Sequence, residues 1–135
     1  MRNFRELDIW KDSRLLVAAT YMIMKQMPDD EKFGLTSQIK RSVISIPSNI
    51  AEGCAKSSDK DLCRFLEISL GSCFELETQF MLCSDINYLD ENIVSKQIES
   101  IQILEKRIAS FLSYLKINRI PKTLNPIPNT LNPYK

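Results

Sequence analysis

Apolar side chains recur every three or four residues along four stretches of the chain, and each stretch therefore reads as an amphipathic helix. The first spans about Asp8 to Met27. Trp10, Val17, Tyr21 and Met24 lie along one of its faces, with Ile9, Leu16 and Ile23 beside them. Asp8 stands where a cap is needed, and Pro28 followed by Asp-Asp-Glu stops the helix. An aromatic and methionine stripe at this spacing is core material, not a cofactor box.

The third stretch opens with Ser58 and Asp61, a capping-box pattern, and continues with few breakers. Leu62, Leu66, Ser69, Cys73, Leu76, Phe80 and Cys83 alternate steps of four and three. This heptad seam contains small residues, which let a neighbouring helix approach closely. Leu70, Phe74 and Met81 form a second seam on another face, so this helix needs covering on two sides. One cover is the bundle core, and another subunit is a candidate for the other. A fourth helix starts near Asp90 and continues to about Ile117, with Val94, Ile98, Ile101, Ile108, Leu112 and Leu115 as its stripe and Leu104 and Phe111 widening it.

The second stretch holds an apparent contradiction, the segment SIPSNIAEG at residues 45–53, with a proline inside an apolar pattern. Leu35, Ile39, Val43, Ile46 and Ile50 keep helical steps on one face, and Gln38, Arg41, Ser45, Ser48 and Glu52 keep them on the other. Both faces hold register through Pro47. A strand over SVISIP would have no partner strand, so the segment reads as one kinked helix, with a break and restart at Pro47 as the competing reading. Pro47 removes the bond to the Val43 carbonyl, and nearby Ser and Asn side chains or water can compensate. Gly53 either closes this helix or admits a close neighbour.

The expected fold is all-α: an antiparallel up-down four-helix bundle with a Pro-kinked second helix, occupying residues 1–117. Residues 118–135 hold four of the six prolines and repeat Thr-Leu-Asn-Pro at 123 and 130, an irregular Pro-rich tail of solvated or recognition type. At 135 residues the chain is one domain with room for a real core.

Charge alters this picture only near the end. The whole chain carries +1, but no acid follows Glu105, and everything up to Glu105 carries −5. The basic end, with Lys106, Arg107, Lys116, Arg119 and Lys122, either complements a helix terminus and solubilises a tail or serves as a handle for nucleic acid or an acidic partner. The apolar run Leu15–Met24 is too short to span a bilayer, and the N-terminal residues mix both charge signs, unlike a signal peptide. No membrane association and a cytoplasmic location are expected.

Candidate chemistry is sparse. The chain has no histidine, which removes Ser-His-Asp and Cys-His dyads and the Glu-x-x-His pattern of di-iron bundles. Cys54, Cys63, Cys73 and Cys83 are spaced by nine, ten and ten residues, so successive thiols diverge around a helix and cannot share a metal. They read as small buried side chains in a reducing compartment. Glu75 and Glu77 point to different faces, and Glu75 is expected to pair with Arg41 or Arg64. No cofactor and no enzymatic activity are expected.

GLTSQIKRSVISIPSNIAEG followed by RFLEISLGSCFELETQ resembles the four-helix-bundle family of 23S ribosomal RNA intervening-sequence proteins, which includes relatives of the accessory variability determinant of diversity-generating retroelements. The resemblance covers about residues 4–117. It implies a four-helix bundle, a pentameric ring as homo-oligomer, and, from the retroelement relatives, association with nucleic acid and a reverse transcriptase. It places Pro47, Asn49, Glu52 and Gly53 at the family's signature positions, in structural roles. The near-zero charge of this chain departs from the basic retroelement relatives.

Two functions follow as expectations. The first is an oligomeric accessory protein associated with RNA or DNA through Lys40, Arg41, Lys56, Lys60, Arg64 and the basic end from Lys106 to Lys122. The alternative is a protein–protein interaction scaffold that uses the spare seam of the third helix and the basic tail.

Overall fold

The computed structural model describes residues 1–118. The expected Pro-rich tail, including Arg119 and Lys122, lies outside the described residues. Four helices form: α1 (Asp8–Met24), α2 (Leu35–Cys54), α3 (Asp59–Asp85) and α4 (Glu91–Ile117). Two short 3-10 turns, Phe4–Glu6 and Asp29–Glu31, precede α1 and α2. No strand occurs among the described residues.

Each helix packs on its neighbours in sequence, and α1 closes the ring against α4. Cross-helix partners run in opposite directions: Arg41 meets Glu75 while Ser45 meets Ser72, and Asp12 meets Arg107 while Thr20 meets Gln97. The bundle is therefore up-down-up-down and antiparallel, as the sequence pattern implies. All seven residues of the heptad seam on α3 are buried, facing Ile39, Val43, Ile46 and Ile50 of α2 and Ile101, Leu104, Ile108 and Leu115 of α4 in one core. Within this apolar core, Gln97 Nε2 donates to Thr20 Oγ1 at 2.9 Å, so neither buried polar group lacks a partner.

The helix ends show how local chemistry sets the boundaries. Ser58 caps α3 as expected, its Oγ accepting from the Asp61 N–H at 3.2 Å. At the other end of α3, Asn87 takes a left-handed φ of 61°, and the Tyr88 N–H donates to the Cys83 carbonyl at 2.9 Å. That is a Schellman closure, which turns the chain toward α4. Glu31 caps α2 from outside the helix, Oε2 accepting from the Leu35 N–H at 2.8 Å.

Two details of α1 differ from expectation. Asp8 is the first helical residue and not the cap; extended Leu7 precedes it and supplies no side-chain cap. The carboxylate still favours the positive end of the helix dipole. The helix also ends at Met24, and residues 25–27 continue with bonds back three positions, Gln26 to Ile23 and Met27 to Met24. Pro28 contributes to this end, because its ring disfavours helical geometry in the residue before it, and the chain tightens and turns out ahead of it.

Candidate functional site

The signature segment is a seam between α2 and α3. α2 runs unbroken through Pro47. Around the proline, Asn49 Nδ2 donates to the Ser45 carbonyl at 2.8 Å and to Ser45 Oγ at 2.9 Å. Ser45 Oγ lies 2.8 Å from Ser72 Oγ on α3, and Ser69 Oγ of α3 donates to the Ile46 carbonyl at 2.8 Å. The hydroxyls and the amide thus gather on backbone carbonyls beside Pro47 and tie the two helices together. Gly53 has no left-handed φ, so it does not end the helix. Its bare Cα instead lets α3 come close, with Phe65 and Leu62 against it. Glu52 is exposed on the outside of this seam.

Glu75 and Glu77 diverge as their spacing requires. Glu75 Oε2 accepts from Arg41 Nη2 at 3.0 Å, and the same guanidinium donates to Gln38. Glu77 turns the other way, toward α4, where Gln102 Nε2 donates to it at 3.3 Å and Glu105 stands within hydrogen-bonding reach. Burial, then the bond and the charge of Glu77, push the Glu105 carboxyl up to about 8.

The candidate nucleic-acid contacts do not form one patch. Arg107 pairs with Asp12 of α1, while Lys116 pairs with Glu67 of α3 at 3.3 Å. Nine residues separate these two cations, so they leave α4 on opposite sides. Arg64 pairs with Asp61 at 3.8 Å, Lys40 lies over the Tyr21 ring at 5.0 Å, and Lys56 lies over the Phe65 ring at 5.2 Å. Lys60 and Lys106 are exposed with no ion pair among the described residues.

The cations of the N-terminal segment were not among the candidates. Arg5 lies 4.8 Å from the Phe4 ring centroid and Arg14 lies 4.9 Å from that of Trp10. Arg2 lies over Phe111 at 5.7 Å and reaches Asp59 at 3.7 Å. The signal lies in the sequence as basic residues interleaved with aromatics in MRNFRELDIWKDSR.

All four cysteines are buried. Burial, with Glu105 and Glu77 adding to it, pushes the Cys73 thiol up to about 12, and burial with Glu31 pushes Cys83 up to about 11. Such thiols stay protonated at neutral pH, when neither a metal ligand nor a nucleophile forms. Among the described residues no group of three potential ligands is placed to hold a metal ion, and no helix is long and apolar enough to cross a membrane. A groove of about 290 Å³ lies between α1 and α4, walled by Leu15, Leu16, Ala19, Ile103 and Leu104 and closed at one end by the Asp12–Arg107 pair.

Comparison with known proteins supports the fold and the family. No curated protein matches the sequence. A solved structure from Bacteroides thetaiotaomicron, described as a protein with unknown function from the S23 ribosomal protein family, superposes with a TM-score of 0.72. It is 22% identical, and the match covers 77% of this chain and 97% of that one. The family model described as 23S rRNA-intervening sequence protein matches residues 5–110, a span that contains the whole α2–α3 seam and all but the last turns of α4. The chain belongs to the 23S rRNA-intervening sequence protein family.

Proposed function

We propose that the bundle is a non-enzymatic accessory module that acts by docking to protein, first of all to further copies of itself. The observation that carries this reading is the outer face of α3, where Phe74 is 55% and Met81 51% exposed. Large apolar groups clustered on one helix face are characteristic of interaction surfaces. The groove between α1 and α4 is a second apolar area, bordered by exposed Leu15 and Ile103. These two unlike surfaces flank α4 on its two sides. Contacts between unlike surfaces run head to tail and close into rings when the rotation permits, in keeping with the ring that the family resemblance implies.

RNA association is the second reading, supported by Arg5, Lys11, Arg14, Lys60 and Lys106, which have no acidic partner among the described residues. Most of the other described candidates already neutralise an acid of the same bundle, which lowers the number of phosphates one copy can engage. Sedimentation of the chain at micromolar concentration, with Phe74→Asp as the comparison, tests the first reading. It predicts an assembly above 15.6 kDa that the variant dissociates. A parent that stays monomeric overturns it. RNA binding that weakens steeply with salt in that monomer would then favour the second.

A further inference from the structure

The α3 face that carries Phe74 and Met81 also carries a carboxylate, and its partner is another carboxylate. Phe74, Glu77 and Met81 step by three and four along one side of α3, so Glu77 sits between the two exposed apolar groups. Glu105 of α4 faces Glu77, and Glu105 Oε2 is buried without a donor. No lysine or arginine forms an ion pair with either carboxylate among the described residues. Gln102 of α4 supplies one N–H to Glu77, and the Cys73 thiol of α3 lies on the core side. Glu77 is the charged neighbour that acts on Glu105, while Asp12 of α1 is paired with Arg107 and Arg41 of α2 with Glu75. Lys106, next to Glu105 in sequence, is exposed.

Two facing carboxylates without a cation cannot both ionise cheaply; a proton between them turns repulsion into a hydrogen bond. A partner seated on Phe74 and Met81 would also take Glu77 and Glu105 further out of water, which favours the protonated form again.

We propose that Glu77 and Glu105 share one proton, and that self-association through the α3 face takes up this proton and weakens as it is lost. The proposal rests on the docking role given to that face above. Its chemistry balances simply: solvent supplies the proton on assembly and receives it on dissociation. The high position of the Glu105 carboxyl agrees with the geometry and places the change near pH 8. Linkage then requires the association constant to fall by up to about tenfold per pH unit above that point for each proton taken up.

The test uses the full chain. Carboxyl carbon NMR of a dilute, monomeric sample follows Glu105 from pH 4 to 9.5, and sedimentation follows assembly over the same range. The expected results are a Glu105 titration far above that of free carboxylates, a drop toward the ordinary range in Glu77→Gln, and association that weakens above about pH 8. In Glu105→Gln, which cannot ionise, association should stay tight across the range. Ordinary titration of Glu105 in the parent overturns the shared proton, with no variant needed. Association with the same strength at every pH overturns the linkage. High titration of Glu105 in a chain that never associates overturns the docking role of the face instead, and with it the regulation.

Discussion

Gly53 of α2 and Phe65 of α3 approach so closely that a methyl group on the Gly53 Cα would lie 2.8 Å from the Phe65 Cβ. Leu62 stands on the other side, with its Cδ1 3.0 Å and its carbonyl oxygen 3.3 Å from the same point. A Cβ and a carbonyl belong to the least yielding parts of a helix. Gly53→Ala therefore forces α2 and α3 apart, although alanine alone would favour the helix by about 1 kcal/mol. The expected net result is a loss of about 1–2 kcal/mol, read from urea denaturation. A stabilised variant would show that the seam can widen freely.

Pro47→Ala should keep the helix and raise stability by about 1–2 kcal/mol. α2 passes through this position without a break, so the new N–H has a helical carbonyl to bond and the ring clash disappears. Part of the gain is offset because the unfolded chain becomes freer. Circular dichroism and denaturant melts check both halves; lost helical signal would show that α2 depends on the proline.

Ser69→Ala removes the donor that reaches the Ile46 carbonyl from α3 at a fully buried site. Stability should fall by about 1 kcal/mol, the usual cost of one such bond. Thr78→Ala is the control, because its hydroxyl bonds only within α3 and at the surface. It should change stability much less in the same denaturation experiment.

Glu105 makes stability pH-dependent in a defined direction. Its carboxyl is raised from about 4.5 to about 8, so in between the folded chain holds a proton that the unfolded chain has already released. The stabilising contribution is complete below about pH 4.5 and is lost as pH rises through that window toward 8. Glu105→Gln should remove this decline, leaving the variant more stable than the parent by about 1 kcal/mol at pH 9 after solvent screening. Thermal melts at pH 5 and pH 9 measure it; equal declines in the two proteins would contradict the assignment.

If RNA is bound, neutralising Arg5 and Arg14 together should weaken it more than neutralising Arg107 and Lys116. The first pair rests on aromatic rings, with guanidinium N–H groups still open to phosphate, while the second pair is already held by Asp12 and Glu67. The slope of affinity against salt separates the two double variants. A larger effect of the α4 pair would restore the basic end as the principal contact.

The sequence alone determined the four helices, because helical periodicity is a local property written in steps of three and four. The α3 seam from Leu62 to Cys83 is buried at every position that spacing selected, and the register on both sides of Pro47 announced one continuous α2. Ser58 was equally readable, since a cap and the N–H it satisfies lie three residues apart. Pairing across helices was not legible in the same way. The choice of Arg41 for Glu75 over Arg64 required the packing of α2 on α3, and Arg107 finds Asp12 across 95 positions of chain. Only the tertiary structure could show that Gly53 is a point of contact and not a helix end, or that Glu77 faces another acid. Periodicity specifies which face of a helix is apolar, whereas the depth at which two helices approach and slide decides which polar groups meet at the edges of that face.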